Sequence, residues 1–458
     1  MAFAGRQLFR RIPAPLCYSC APMMDADTPP RQREPRKERY PSQIKYIIGN
    51  EACERFSYYG MLGILELYLV RRMGMGGDDA TKTQHLFAAA VYFLPLAGGW
   101  LADRWLGRYW TILSISLFYC LGHGTLALFE GSRTGLYAGL ALIAIGAGGI
   151  KPCVAAFVGD QFKPGQHHLL TNIYGWFYWV INLGAAAAFF LIPLVHVRWG
   201  YAWAFGIPGL AMGLATFIFW LGRGQYVRQP PERQARRSKE EAAADRKSLL
   251  RIALVFLPVP VFWTLYNQTS STWVLQGAKM TPFHALNGET MQVAGAVLVM
   301  IWTPLLTLLL YPMAGRLGWR PTALRRMTAG MFLAAASFVV CGLVQARMDR
   351  GQSMSILWQL ACYMVLEPGE VLLSATGLEF AFAQAPARLK SVVMSLWLMT
   401  VATGHFLVAA FTELNQRFVK AAGASQFFFY AAVMFAAAVV FAFCSSRYRP
   451  PAGGGPPS

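Results

Sequence analysis

Twelve apolar runs, most of them about 18 to 25 residues long, constrain this chain more than anything else in it. They fall roughly at 43–70, 82–102, 109–130, 135–158, 170–195 and 201–222, then at 249–276, 290–312, 323–345, 353–383, 389–415 and 424–444. About 20 apolar residues make a helix long enough to cross a bilayer. Within lipid, a backbone that must satisfy its own hydrogen bonds is left with helices or closed barrels. The chain is 55% hydrophobic and only 14% charged, a balance foreign to soluble domains. The expectation is an all-α membrane protein with twelve transmembrane helices in two six-helix bundles, 43–222 and 249–445. A charged linker over 223–248 would divide them, with tails at 1–42 and 446–458.

Basic residues orient these segments. Most of the 41 Lys and Arg lie in the N-terminal tail, the central linker, the C-terminal tail and the loops near 104–108, 163, 316–326 and 388–390. That bias predicts a multi-pass membrane protein with both termini and the linker in the cytoplasm; the expected location is a bacterial inner (plasma) membrane. The net charge of +19 is therefore a topology signal, and nucleic acid is not an expected partner. The tail over 1–42 lacks the apolar segment of a signal peptide and reads as disordered. Cys17 and Cys20 form a C-x-x-C with no second ligand pair nearby and are read as coincidence. The other six cysteines are scattered and suggest no disulfide framework.

The first apolar run carries chemistry. Glu51, Glu54, Arg55, Tyr58 and Leu62 recur at helical spacing and share one face about 100° wide. Ionisable side chains at bilayer depth are costly and mark substrate or proton paths. The plainer alternative puts Glu51 and Glu54 at headgroup level, where carboxylates suit a helix start. Further on, Gly146-Ala147-Gly148-Gly149 precedes Lys151-Pro152, glycines that permit close helix approach beside a lysine inside the membrane. Asn182 lies in FYWVINLG. Glu367-Pro368-Gly369-Glu370 reads as a helix broken at a buried acid, and interrupted helices are where transporters tend to build their sites.

The loop Gly99 to Arg108, with Asp103, Arg104 and Arg108, resembles the signature loop of the major facilitator superfamily. Four longer stretches are more specific: Glu51-x-x-Glu54-Arg55-Phe56-x-Tyr58-Tyr59-Gly60, the GIKPC…GDQF segment, Phe262-Trp263…Gln268, and Gly369 to Lys390 with GLEFAFAQAP. Together they resemble the proton-dependent oligopeptide transporter family from about Ile44 to Arg447. The resemblance implies the major facilitator fold and proton-driven symport of di- and tripeptides. It also implies that Arg55 and Lys151 hold the peptide carboxylate, Glu370 the amine and Asn182 the backbone. Tyr58, Tyr59, Tyr92, Trp263 and Trp397 would line side-chain pockets, with Asn267 and Ser374 alongside. For the aromatics, ordinary helix packing or an interfacial belt stays open as the alternative. Glu51 and Glu54, with Arg55 and Lys151, would couple the proton: an ionised acid would hold Lys151 in an ion pair, and protonation would release it. Asp103, Arg104 and Arg108 would form the conformational loop.

The sequence departs from that family at a linked pair. Many members carry arginine at the position of Leu62 and an acid at that of Asn267, so two opposite charges are missing together, as expected if a lone survivor is costly. Glu66, one turn beyond Leu62, reads either as a contributor or as a solvated end residue. The expected partners are small peptides and lipid, the expected state a monomer, and no cofactor is implied beyond the proton itself. Another solute, such as nitrate, a peptide-like drug or a modified amino acid, stays open, as does a non-transporting sensor. An enzyme does not fit, because no nucleophile–base pair or metal-ligand cluster stands out.

Overall fold

The computed structural model describes residues 40–162, 167–230, 239–318, 322–384 and 390–448. The N-terminal tail to residue 39 with Cys17 and Cys20, most of the C-terminal tail and the Lys163 loop lie outside the described residues. The rest is helical: α1 (Ile44–Arg71), α2 (Gly77–Phe93), α3 (Pro95–Leu101), α4 (Gly107–Leu128), α5 (Arg133–Asp160) and α6 (His167–Leu221) come first. There follow α7 (Lys239–Phe256), α8 (Val259–Tyr266), α9 (Thr272–Gly277), α10 (Val293–Pro304), α11 (Tyr311–Arg316), α12 (Ala323–Asp349), α13 (Leu357–Gln384), α14 (Lys390–Leu414) and α15 (Ala424–Arg447).

Among the described residues eight helical stretches are long and apolar enough to cross a membrane. Two of them, Gly77–Leu128 and Gly175–Gly224, have 52 and 50 residues, enough for two passes each. Each contains a glycine in the left-handed region that L side chains avoid: Gly107 at φ 73° and Gly200 at φ 83°. These are the points where the sequence separates segments 82–102 from 109–130 and 170–195 from 201–222. Helices α1 and α13, 28 residues each, are long enough to span but carry several acids.

Apolar packing is divided between two large cores. One draws on residues from Ile44 to Tyr226 and the other on residues from Ile252 to Phe441. Leu121, Leu210, Leu254, Leu308, Phe435 and Val440 point outward, as expected where lipid replaces water. Small residues set the helix crossings. A Cβ on Gly98 of α3 would lie 2.5 Å from the Cα of Gly149 on α5, and one on Gly148 would lie 2.4 Å from the Cβ of Leu94. The α1–α6 contact is as tight, since a Cβ on Gly184 would meet the carbonyl oxygen of Ala52 at 2.9 Å. Asn50 adds a buried hydrogen bond there, from Nδ2 to the carbonyl of Ala215 at 3.0 Å.

Two expectations change. Helix α7 (Lys239–Phe256) already takes in the last ten residues of the expected linker, where Lys-Glu-Glu-Ala-Ala-Ala is rich in strong helix formers. The expected break at Glu367-Pro368-Gly369-Glu370 is absent, since α13 runs unbroken from Leu357 to Gln384 with Pro368 inside it. Gly369 serves a crossing instead: a Cβ there would lie 2.8 Å from the carbonyl oxygen of Gly330 on α12.

Candidate binding cavity

The charged stripe of α1 lies in the protein interior. Glu51 and Glu54 are 2% and 1% exposed and lie seven and ten residues into α1, so they do not start that helix at a solvated surface. Arg55 Nε stands 2.6 Å from Glu51 Oε1 and 3.1 Å from Glu54 Oε2, so one guanidinium bridges both acids. Tyr119 on α4 donates to Glu54 Oε1 at 3.5 Å. Lys151 makes no such pair. Its Nζ, enclosed and without a hydrogen bond, sits 3.8 Å from the ring centroid of Tyr58 and 4.4 Å from that of Tyr92. The ion pair expected between Lys151 and the α1 acids is thus replaced by the Arg55 bridge, with ring quadrupoles facing the ammonium.

A cavity of about 230 Å³ opens between the two cores. Tyr58, Tyr59, Tyr92, Asn182, Trp263, Asn267 and Glu370 line it, as the resemblance implies. Arg55 and Lys151 lie outside that lining, with Lys151 behind the rings of Tyr58 and Tyr92. Asn182 donates to the carbonyl of Tyr178 one turn back, at 3.0 Å. The indole of Trp263 is fixed by a 3.1 Å hydrogen bond to Thr400 Oγ1. Two expected residues play other parts. Trp397 is 2% exposed and packs edge-on against Phe256 and Trp263 beside Gly377, where a Cβ would be 2.0 Å from its ring. It is a packing residue, the alternative held open for it. Ser374 adjoins Glu370 without lining the cavity.

Several further residues at this cavity carry no local signal in the sequence that marks them as site residues. Tyr178, Tyr266, Tyr363 and Glu367 join Glu370 on one wall. At one end, α2 meets the second half through buried neutral hydrogen bonds and, at Lys82, through a 2.6 Å ion pair to Glu413 on α14. His85 and His405 face each other with Nδ1 atoms 2.9 Å apart, and His85 Nε2 lies 2.8 Å from Ser271 Oγ. Tyr92 stacks on His405, extending this contact to the cavity wall. Gln84 donates to the carbonyl of Ser270 at 2.7 Å, and Gln292 to that of Gly63 at 3.0 Å. Glu66 is fully buried, accepting from Thr81 Oγ1 at 2.7 Å, and so is no solvated end residue. Leu62 and Asn267, the positions of the missing charge pair, both face the cavity just inside this seal.

The signature loop forms a separate cluster. Arg108 grips Asp160 at the end of α5 through Nη1, at 2.6 and 2.7 Å from the two carboxylate oxygens, with Asp103 3.8 Å away. Arg104 and Asp103 are exposed. Next to Asp160, Gln161 ties α5 to residue 227, accepting from the Val227 amide at 3.0 Å and donating to its carbonyl at 3.1 Å.

The family model described as the POT family matches residues 109–238 and 232–428. The rat protein "Solute carrier family 15 member 2" is 36% identical over 375 residues, covering 70% of this chain and 51% of its own. Rat "Solute carrier family 15 member 1" is 34% identical, covering 68% and 52%. The chain therefore spans about half the length of these curated relatives. A crystal structure of an auto-inhibited POT family peptide transporter aligns with TM-score 0.86 at 38% identity, over 91% of this chain and 99% of that one. The POT family transporter PepTSo aligns with TM-score 0.84 at 36% identity, over 90% and 99%.

Proposed function

The chain belongs to the POT family, whose solved members share its all-α multi-pass transporter fold, and on that premise we propose that it is a proton-coupled importer of di- and tripeptides. One observation carries the reading: a cavity between the two helical cores is acidic on one wall, at Glu370, and backed on another by Lys151 behind the rings of Tyr58 and Tyr92. Arg55, bridged to Glu51 and Glu54, lies on the same α1 stripe as Tyr58. A zwitterionic peptide has that polarity. Its carboxylate turns toward Lys151 and Arg55, its amine toward Glu370, and its amide toward Asn182. Tyr58, Tyr59, Tyr92 and Trp263 supply broad apolar walls with polar tips, suited to variable side chains.

Coupling runs through Glu51 and Glu54. While both are ionised they hold Arg55; a proton on either loosens that hold and leaves more positive charge for the peptide carboxylate. Lys151, already without a hydrogen-bond acceptor, needs no release. The two six-helix halves, joined by the 223–248 linker, then rock about the cavity to carry peptide and proton inward. The membrane is the inner or plasma membrane, with termini and linker cytoplasmic, as the basic loops favour. The His85–His405 end is then the outer one, sealed in this conformation.

The test is uptake of labelled dialanine into proteoliposomes of the full chain. An inward proton gradient is expected to drive accumulation that a protonophore abolishes. Accumulation driven by sodium and indifferent to the protonophore refutes the reading.

A further inference from the structure

The mechanism above uses one acid on α13, yet the cavity wall carries two. Glu367 is 1% exposed and Glu370 7%, both line the cavity, and the Oε2 of each is enclosed without a hydrogen bond. Neither forms an ion pair among the described residues. Arg55 is held by Glu51 and Glu54, and Lys151 lies over Tyr58 and Tyr92. A carboxylate enclosed at this depth is costly unless it meets a cation or takes up a proton. A peptide amine meets Glu370 and leaves Glu367 with the hydroxyl of Tyr266 but no cation.

We propose that Glu367 and Glu370 form a two-carboxylate subsite that selects peptides whose N-terminal residue carries a second cation, as lysine does. This rests on the reading above, which places the α-amine at Glu370. Residues three apart on a helix have Cβ atoms about 5–6 Å apart. The α-amine and the extended side-chain ammonium of a lysine are separated by on the order of 6 Å, so one residue can reach both acids. Gly295 of α10 packs against Glu367, and a Cβ there would stand 2.9 Å from Oε1, so the glycine makes room for the carboxylate, while the room for a ligand is the cavity that both acids line. Tyr178, Tyr266 and Tyr363 line the same wall, with ring faces suited to a lysine stem and its ammonium. Glu367 is thus a specificity-determining residue, distinct from the α1 acids that carry the proton.

The test is calorimetric binding to the purified full chain of lysyl-alanine, its uncharged near-isostere norleucyl-alanine, and alanyl-lysine. The expected result is a preference of about tenfold for lysyl-alanine over norleucyl-alanine, with no comparable gain for alanyl-lysine. Glu367→Gln should collapse that ratio to within about twofold, and Glu367→Asp should restore part of it. A wild-type ratio near one overturns the proposal, and needs no variant that folds. A Glu367→Gln protein that weakens both peptides equally also overturns it, since a structural prop or a proton carrier behaves so. Dialanine uptake separates the two levels: transport without a lysyl preference removes the subsite alone. A Glu367-dependent preference without gradient-driven uptake removes the transport reading and keeps the subsite.

Discussion

Gly98→Ala isolates the contact that fixes Lys151 in place. The new methyl would enter 2.5 Å from the Cα of Gly149 and 3.0 Å from the carbonyl oxygen of Gly148, both backbone atoms that no rotamer can move. Ordinary contact needs roughly 1 Å more, so α3 and α5 must separate, at about 1–3 kcal/mol for overpacking. Alanine in place of glycine returns up to about 1 kcal/mol of helix propensity. Gly99, the next residue on α3, has nothing within 4 Å of a Cβ and so supplies the control. The propensity gain is common to both variants, and their difference of about 1–3 kcal/mol is the steric cost alone. Lys151 follows Gly149 by two residues and faces the ring of Tyr92, just before α3, so the separation also moves the ammonium off that ring. Thermal unfolding in detergent should place Gly98→Ala below Gly99→Ala, and dipeptide affinity should fall only in Gly98→Ala. Equal unfolding temperatures would refute the crossing as drawn. A stability loss with unchanged affinity would refute the link to Lys151.

Three further outcomes are expected. Glu370→Gln should weaken peptides with a free amine by about 10- to 100-fold, as for a lost hydrogen bond to a charged group, while N-blocked peptides lose far less in the same competition assay. Leu62→Arg or Asn267→Asp alone should each cost a few kcal/mol (about 2–4) of stability by burying an unpaired charge. The double change should recover part of that, and simple additivity in the unfolding cycle would mean the two side chains do not meet. Trp397→Phe should lower the unfolding temperature while leaving the order of peptide preferences intact, checked by competition with a small panel, because its ring packs against Phe256 and Trp263.

What could be read from sequence followed periodicity within one helix. Glu51, Glu54, Arg55 and Tyr58 recur at helical spacing, and they do converge. The glycines before Lys151 could be read because close approach leaves a mark in residue size, and Gly148 and Gly149 meet Leu94 and Ile115 as such a stripe predicts. Depth was less legible. Glu66 near a helix end reads equally as interfacial or buried, and only the placement of Thr81 beside it decides. Pairings across the chain left no local trace. His85 and His405 are 320 residues apart, each an unremarked histidine in an apolar run until α2 and α14 bring their rings together. In the sequence Glu367 reads as the mark of a broken helix. Because α13 stays continuous, the same three-residue spacing instead sets it beside Glu370 on the cavity wall.

The missing charge pair and the histidine seal bear on one another. Where the family resemblance implies an arginine and an acid, this cavity has Leu62 and Asn267. The buried contacts just beyond are neutral, Gln84 to Ser270, Gln292 to Gly63 and His85 to Ser271 and His405, with the partly exposed Lys82–Glu413 ion pair on the same helix pair, α2 and α14. A charged pair closes strongly but must be desolvated each time the halves come together. Neutral hydrogen bonds are worth less each, about 0.5–1.5 kcal/mol net, and cost little to part. Buried neutral bonds, with the Lys82–Glu413 pair left partly in solvent where its desolvation is small, suit the gate that the proposed transport cycle requires. The missing charge pair also leaves Glu367 and Glu370 as the acids lining the cavity. Lys151 stands behind the rings of Tyr58 and Tyr92 and Arg55 is bridged to Glu51 and Glu54, an arrangement that the termini of the proposed peptide substrate would complement.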